Sequence, residues 1–405
     1  MATCAFLVSA IELSYFEGLI KSFPPDFIDI LVGEHKLEWQ QNLLQSGQVS
    51  EDFYHTIASL RESGFNVTIA TNESLKNYSG ILASAGLLVY KESPWIDIEL
   101  LKTKRVLWLY HASDQSAYLE PPARYVIGQF QRSLEAPENG KVLKTDDPAL
   151  FNSMTALPES QRGEYTYTGP YHLGEWEQKR LEPKCELKKE LCEYLGIDIP
   201  DKPIIAFFKD EFCYEPELAI GLKALSNHVT VIYKGYEGLE YDKLYPSIKD
   251  CVIRWPSRRM AQNLLRFSVD MILSGYQSGT MTSSAMLGIP MIACHTTHVQ
   301  PKKRRDKLIC KFTPEHITGN SVTQRIHSHL DVSYNINNTE GILSFIEQNK
   351  GFSHTSDEEN IAKMRPVFGD YCISGAAQKT AILTIRALSS GSFGKDTFAI
   401  KDLSA

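Results

Sequence analysis

The chain has 405 residues, of which 43% are hydrophobic, and it carries a formal net charge of -7. This length and composition indicate a globular protein of two domains or one large domain that can bury sizeable cores. The acidic balance argues against a protein whose main partner is a nucleic acid.

The cysteines and the N-terminus indicate a cytoplasmic protein. None of the 8 cysteines forms a Cys-x-x-Cys pair, so we expect buried free thiols in a reducing compartment and no structural zinc site. The first residues lack a basic segment and include Glu12 and Glu17, which is atypical of a signal peptide. No apolar run approaches the roughly 20 residues that span a bilayer, so any membrane contact is expected to be peripheral.

Strand and helix patterns alternate in the first part of the chain. Strands are predicted at 4–9, 27–32, 66–70, 86–90 and 105–110, with an amphipathic helix at 51–64. Such alternation favours βαβ units around a parallel sheet. Residues 131–180 are polar and rich in Pro, Gly and Glu, and we predict that they form loops and an interdomain connection.

The alternation restarts in the second half of the chain. Strands are predicted at 204–208, 229–233, 251–254, 269–273 and 291–294, with a helix at 215–225. We therefore predict an α/β protein of two Rossmann-like lobes whose parallel sheets face a central cleft. Ligands of such sheets bind beyond the carboxyl ends of the strands, so the loops after these strands are expected to face the cleft.

Three regions follow from this pattern. We predict an N-terminal lobe at 1–175, a C-terminal lobe at 176–375, and a terminal helix and tail at 376–405 that packs back on the N-terminal lobe.

Residues 269–294 hold the most informative pattern. A strand leads into a Gly- and hydroxyl-rich turn, then into a helix at 281–287 that ends before Gly288-Ile289-Pro290. A glycine loop that opens a helix leaves backbone N–H groups without intrahelical partners, and with the helix dipole they suit a phosphate. The pattern favours a site for a nucleotide-linked compound. An ordinary βαβ turn that binds nothing is the alternative.

Five stretches occur together in the order typical of one family. They are VLWLYHASD at 106–114, TGPYHLG at 168–174, IIAFFKDE at 204–211, the segment 261–290 with its serine turn and Leu-Gly-Ile-Pro stop, and the segment 368–378. Together they resemble the GT-B glycosyltransferases, and within them the CDP-glycerol glycerophosphotransferases and capsule-type transferases.

The chain departs from that family at three places. Gly275 stands where the family has Asp before a tyrosine, and Ala112 and Ser113 replace Gly-Thr after the histidine. The loop after Cys294 carries two histidines and a basic run that are not typical of the family. These departures weaken the inference of a glycerophosphate donor, and a sugar donor, including a CMP-linked acidic sugar, is at least as compatible.

The resemblance implies a metal-independent glycosyltransferase. It moves a sugar or polyol phosphate from a CMP-, CDP- or UDP-linked donor, held by the C-terminal lobe, to a hydroxyl acceptor held by the N-terminal lobe. The implied acceptor is a saccharide or lipid-linked saccharide of surface glycan or capsule biosynthesis, at the cytoplasmic side of the membrane. No separate cofactor and no nucleic-acid partner are expected.

His111 and Asp114 are the predicted catalytic residues. The resemblance matches His111 to the family's histidine motif, where a loop of the first lobe faces the cleft. A histidine near its ordinary pKa accepts a proton from an acceptor hydroxyl, and Asp114 orients it or acts as the base itself. The alternative is a histidine that caps the strand and bonds to the backbone.

The serine turn supplies four of the predicted donor-binding residues. Ser278, Gly279 and Thr280 are predicted to contact the donor phosphates through backbone N–H groups and hydroxyls, and Ser274 begins the turn.

Two basic residues complete the predicted donor site. Lys209 follows the strand 204–208 and is predicted to neutralise a diphosphate leaving group. Arg254 precedes Trp255-Pro256, a pair that we predict to stack on or wall off the nucleotide base. Solvated strand ends are the alternative for both cations.

A basic run at 302–305 and two neighbouring histidines follow the last of these strands. The run fits an anionic donor, an anionic polymer acceptor or acidic lipid head groups, with a solvated loop as the alternative. His295 and His298 lie three residues apart, but the sequence identifies no partner for a metal, and we predict no metal site.

Two other functions remain open from the sequence. A nucleotide-sugar 2-epimerase shares the architecture, but it needs acidic residues in the helix after the glycine turn, and 281–287 has none. A GT-B binding module that has lost activity is the other alternative, because two family motifs are incomplete.

Overall fold

The computed structural model describes residues 4–9, 13–33, 52–70, 87–90, 106–109, 125–128, 164–171, 180–209, 213–235, 244–255, 262–275, 279–299, 310–311, 326–327, 329–349 and 357–390. These residues form two parallel sheets covered by helices, and a short antiparallel pair. None of the helices in these ranges combines the length and apolar character needed to cross a membrane.

The first sheet has seven parallel strands. They are β1 (Cys4–Ser9), β2 (Ile28–Gly33), β3 (Asn66–Ala70), β4 (Leu87–Tyr90), β5 (Val106–Leu109), β6 (Tyr125–Gly128) and β7 (Glu164–Tyr167). Their order is β3-β2-β1-β4-β5-β6-β7, and α1 (Leu13–Lys21), a 3-10 helix (Pro25–Phe27) and α2 (Asp52–Glu62) connect the first three. The run CAFLV of β1 is buried throughout, as expected for a parallel strand covered on both faces.

The second sheet has six parallel strands. They are β8 (Ile204–Phe208), β9 (Thr230–Lys234), β10 (Ile253–Arg254), β11 (Met271–Gly275), β12 (Met291–His295) and, after the antiparallel pair β13 (His298–Val299) and β14 (Cys310–Lys311), β15 (Ser333–Asn335). The order of the six is β10-β9-β8-β11-β12-β15. The helices of this lobe are α3 (Lys184–Leu195), α4 (Glu215–Ser226), α5 (Tyr245–Ile248), α6 (Gln262–Ser268), α7 (Gly279–Met286), α8 (Thr339–Gln348) and α9 (Asp357–Phe368).

Two hydrophobic layers sandwich the second sheet. Helices α3, α6, α7 and α9 pack on one face, and α4, α5 and α8 pack on the other. Side chains of β8 alternate between these layers, because successive residues of a strand point to opposite faces. The chain proceeds from β8 outward to β10 and from β11 outward to β15 in opposite directions, so the neighbours β8 and β11 form the topological switch point of this sheet.

The chain returns to the first lobe at its end. Helix α10 (Ser374–Ser390) contributes Ala377, Ala381, Ile385 and Leu388 to the core of the first sheet. The packing of α10 agrees in kind with the predicted terminal helix, while the domain boundaries remain a prediction.

The segment that leads towards the second lobe touches the segment that returns from it. The Cys372 N–H donates to the carbonyl of Thr168 at 3.3 Å. Gly169 has a φ of +87°, and a Cβ at this position would lie 2.2 Å from the carbonyl oxygen of Cys372. Only glycine therefore permits this close approach.

The structure differs from the sequence-based prediction at two places. Residues 131–180 are predicted to be loop and connection, yet Glu164–Tyr167 forms β7 and pairs in parallel with β6. Its tyrosines and threonine suit a strand, and pairing with an existing sheet edge outweighs the polar composition. The serine turn begins later than predicted, because β11 continues through Ser274 and Gly275, which pair with β12.

A partly buried carboxylate joins α3 to the amino end of β8 in the second sheet. Asp270 accepts from the Ile204 N–H at 2.8 Å and from Lys188 Nζ at 2.9 Å, and Lys184 Nζ lies 3.4 Å away. Burial raises the pKa of Asp270, but these hydrogen bonds and charges outweigh it and hold the pKa below its ordinary value. Asp270 therefore joins a helix to the amino end of β8 only while it is ionised.

Two alanine substitutions test the close approach at Gly169. G169A and G196A both place a Cβ on a left-handed backbone, which costs about 1 to 2 kcal/mol, but Gly196 has open space around it. G169A should therefore lower the free energy of unfolding by at least about 2 kcal/mol more than G196A. Denaturant unfolding checks this, and equal losses would contradict the close contact.

Asp270 predicts a specific acid sensitivity. A depressed carboxyl pKa contributes stability that is present above the unfolded pKa of about 4 and is lost as the pH falls through the folded pKa. D270N should cost about 2 kcal/mol at neutral pH, with the difference from wild type shrinking below about pH 4. The exposed Asp201 supplies the control D201N, and a pH-independent difference for D270N would refute the ionic role.

Candidate functional site

Three predicted donor-binding residues follow the two strands at the switch point of the second sheet. Lys209 directly follows β8, and Gly279 and Thr280 begin α7, which the chain enters after β11. Phe208 at the end of β8 pairs with Ser274 of β11, so the carboxyl ends of the two strands are level. This edge is where ligands bind in open α/β sheets.

Several predicted residues lie outside the described part of the chain. They are His111, Asp114, Ser278 and the basic run at 302–305. Their roles remain predictions.

A buried arginine lies beside the first turn of α7. Arg266 of α6 is 6% exposed. Its Nη1 donates to Ser283 Oγ at 2.7 Å, and its Nη2 donates to Thr280 Oγ1 at 3.4 Å. Ser283 in turn donates to the Thr280 carbonyl at 3.3 Å. The contacts fix the guanidinium against the predicted phosphate-binding turn.

The position of Arg266 has an electrostatic consequence. The first turn of a helix carries a partial positive charge from its unpaired N–H groups. A fixed cation beside this helix end is repelled by it, and a buried charge is already costly in a medium of low dielectric constant. The guanidinium and the helix N-terminus both attract negative charge, so the arrangement favours an anionic ligand at the start of α7.

Two lysines add positive charge at the same sheet edge. The guanidinium carbon of Arg266 and the Lys234 ammonium lie 5.5 and 5.3 Å from the centre of the Phe208 ring, within the range of cation–π attraction. The Lys209 side chain is 1% exposed and forms an ion pair with Glu215 at the start of α4. Lys209 is therefore neither a solvated strand end nor an isolated cation, because Glu215 neutralises part of its charge.

Arg254 and Trp255 lie away from this point. β10 is an outer strand, two strands from β8, and the Arg254 guanidinium lies 4.8 Å from the Tyr245 ring centre. Trp255 is 4% exposed and packs against Tyr194 at 5.2 Å between ring centres. The Trp255 ring therefore belongs to the hydrophobic core, and the contact of Trp255-Pro256 with a nucleotide base stays a prediction.

Ser274 does not present its hydroxyl to a ligand. It is fully buried within β11, and its Oγ donates to the Gly275 carbonyl at 3.2 Å. The prediction of a donor contact rested on a turn beginning at Ser274. The strand continues past it, so the hydroxyl has no exposed surface.

Metal ligands do not cluster in the described ranges: no group of three or more His, Cys, Asp or Glu residues there is placed to hold a metal ion. Metal independence itself remains a prediction.

Arg266 has little signal in the sequence. The only signal is a cation inside the apolar run Leu264-Leu265-Arg266-Phe267. Such a residue is usually placed on the solvent side of an amphipathic helix. Its burial depends on packing between α6, α7 and β8, which local periodicity does not report.

No family model matches the chain, and no curated protein matches it significantly. Solved structures do match over almost its whole length. A wall teichoic acid polymerase TagF variant soaked with CDPG has a TM-score of 0.55 at 11% identity, covering 96% of this chain and 89% of that chain. HepE from Anabaena in complex with UDP has a TM-score of 0.52 at 11% identity, covering 96% of this chain and 100% of that chain.

A glycosyltransferase from Rickettsia africae has a TM-score of 0.51 at 12% identity, covering 97% of this chain and 99% of that chain. Identities this low show a common fold and no more. The chain has the GT-B fold, and the predicted α/β class with two Rossmann-like lobes is confirmed.

Replacement of the buried cation tests whether this edge binds anions. R266M should stay within about 1 kcal/mol of wild-type stability, because an apolar side chain of similar length can replace a buried charge. It should bind inorganic pyrophosphate at least about tenfold more weakly, because the positive charge beside the phosphate is lost. Calorimetric titration measures the affinity.

The matched control is R386M. Arg386 of α10 also lies on a phenylalanine ring, 5.6 Å from the centre of Phe23, but it belongs to the first lobe. R386M should bind pyrophosphate as wild type does. Equal affinities for R266M and wild type would rule out an anion site beside Arg266.

Proposed function

We propose that this protein is a glycosyltransferase-type enzyme that moves a sugar or polyol phosphate from a nucleotide-activated donor to a hydroxyl acceptor. The observation that carries the proposal is the buried Arg266 beside the first turn of α7, at the switch point of the second sheet. Solved structures of the same fold contain UDP or CDPG, which supports a nucleotide-activated donor here.

The donor phosphates lie against the first turn of α7. The backbone N–H of Gly279 and the hydroxyl groups of Thr280 and Ser278 donate hydrogen bonds to phosphate oxygens. The Arg266 guanidinium adds positive charge beside Thr280. Charge develops on the departing phosphate during transfer, and preorganised positive groups stabilise it. Lys209 and Lys234 contribute to this field, although Glu215 reduces the share of Lys209.

The acceptor approaches from the first lobe. His111 and Asp114 follow β5, and His111 takes the proton of the acceptor hydroxyl while Asp114 orients it. Closure of the lobes excludes water and limits hydrolysis of the donor. By the family resemblance, the acceptor is a surface glycan or lipid-linked saccharide, made in the cytoplasm at the inner face of the membrane.

The alternatives make different predictions. A nucleotide-sugar 2-epimerase would bind the same donor and interconvert it without an acceptor, but α7 carries no acidic residue for proton abstraction. An inactive module would bind a nucleotide without turnover. H111A separates the module from the enzyme, because lost transfer with retained donor binding requires chemistry in the wild type.

A thermal-shift screen against CMP, CDP, UDP, UMP, GDP and dTDP tests the donor site. A nucleotide at a hundred times its Kd stabilises the folded state by about 2.7 kcal/mol, so the matching nucleotide should raise the Tm by a few degrees. A rise in Tm with CMP or CDP would indicate glycerophosphate-type or CMP-linked donors. A rise with UDP, UMP, GDP or dTDP would indicate an ordinary sugar nucleotide. No shift with any of the six would contradict the proposal.

Two threonines of α7 give a matched pair of variants. T280V removes the hydroxyl that faces Arg266 and should weaken nucleotide binding by about three- to tenfold. Thr282 is 2% exposed, and its Oγ1 has no hydrogen-bond partner in the part of the chain that the structure covers. T282V should therefore leave binding unchanged, and an equal effect of the two substitutions would argue against direct contact by Thr280.

A further inference from the structure

The start of α4 and the residues just before it contact the residues that follow β12. Cys213 forms a β-bridge with Val299. The Tyr214 N–H donates to Thr296 Oγ1 at 3.0 Å, and the Thr297 N–H donates to Glu217 Oε2 at 2.6 Å. We call these two contacting stretches, residues 213–217 and 294–299, the crossing segment.

The crossing segment lies at the donor site. β11 is the strand between β8 and β12, so a contact from the chain after β8 to the chain after β12 passes the carboxyl end of β11. Cys213 and Cys294 belong to the hydrophobic layer of α4, whereas Phe208 and α7 belong to the opposite layer. The crossing segment and the Arg266 cluster therefore flank the end of β11 from its two faces.

His298 is the group in the crossing segment that can transfer a proton. Its Nδ1 donates to Glu217 Oε1 at 2.5 Å, and its side chain is 47% exposed. Within the described ranges, its Nε2 has no hydrogen-bond partner. The carboxylate fixes the ring and its tautomer, as in catalytic carboxylate–histidine pairs, and leaves Nε2 available to a ligand.

Glu217 stays ionised beside this ring. Burial raises its pKa, but the hydrogen bonds from His298 and Thr297 outweigh burial and hold the pKa below its ordinary value. Protonation of His298 thus forms an ion pair that keeps a proton on Nε2, directed away from the carboxylate.

We infer that His298, oriented by Glu217, contacts the donor phosphate and protonates it as it departs. The inference rests on the proposed function. The bond from the transferred group to the phosphate oxygen breaks, its electron pair stays on that oxygen, and the oxygen receives the Nε2 proton. The acceptor oxygen forms the new bond to the transferred group and gives its own proton to the base of the first lobe.

Four titratable groups of the described residues lie around His298. Glu217 and Tyr214 face it from α4 and the residue before it, His295 precedes it on β12, and Lys311 is its antiparallel partner on β14. Burial lowers the pKa of His295, which disfavours the charged form of that ring. A pH-dependent contact with an anion is therefore assigned to His298.

The test compares pyrophosphate, CDP and UDP binding by calorimetry at about pH 6 and about pH 8, on either side of the ordinary histidine pKa. Protonated His298 binds the anion more strongly, so wild type should gain affinity at the lower pH relative to H298Q, by about tenfold. Protonation of the phosphates themselves is the same for both proteins and cancels in this comparison. H228Q, at an exposed histidine beyond the end of α4, should behave as wild type.

E217Q measures the positioning role of the carboxylate. It should keep the pH-dependent gain but move its midpoint to lower pH, because the imidazolium loses its anionic partner. If Glu217 has only a structural role, E217Q leaves that midpoint unchanged. This result would overturn the assignment of Glu217 as the positioning residue.

The outcomes separate this inference from the proposed function. If wild type binds a phosphate compound and H298Q shows the same dependence on pH, the role of His298 is overturned while the donor site stands. If wild type binds none of the three compounds at either pH, both are overturned. Loss of the pH-dependent gain in H298Q alone supports the inference.

Discussion

The burial of the Arg266 guanidinium beside the start of α7 is the constraint on which the candidate site depends. A cation held near the positive end of a helix raises the free energy of the unliganded protein. Hydrogen bonds to Ser283 and Thr280 and the face of the Phe208 ring offset part of that cost. These groups lie at the carboxyl edge around β8 and β11, which is where ligands bind in open α/β sheets.

The topology explains why these groups meet. Because the chain leaves β8 and β11 in opposite directions, helices cover both faces while the carboxyl ends of the two strands stay uncovered by a crossover. From one face the crossing segment brings His298 and Glu217, and from the other α6 and α7 bring Arg266 and Thr280. Under the proposed function, a phosphate ester at this edge lies between the Arg266 guanidinium on one side and His298 on the other.

Local pattern was enough to predict most of the fold. The apolar run Ile204–Phe208 is a buried strand with the predicted bounds, because a strand covered on both faces must be apolar at every position. β7 was missed because Glu164–Tyr167 gains its stability by pairing with β6, and a sequence window does not contain that partner. The extension of β11 through Ser274 and Gly275 depends on pairing with β12 in the same way.

The chemistry of the site was less predictable, because its interactions join distant residues. Glu217 and His298 are 81 positions apart, so the sequence showed a histidine without its carboxylate. Lys209 was predicted to neutralise a diphosphate leaving group, and its ion pair with Glu215, only six residues away, was not foreseen. That contact requires the turn between β8 and α4. Arg266 gave almost no signal, since burial of a cation follows from the packing of three elements.

The most direct test of the central claim is a crystal structure of the protein with CDP or UDP. We expect phosphate oxygens at the first turn of α7, within hydrogen-bond distance of Thr280 and of the Gly279 N–H, with the Arg266 side chain beside them. Phosphates bound elsewhere, beyond the outer strands of the second sheet or on the first sheet alone, would contradict it.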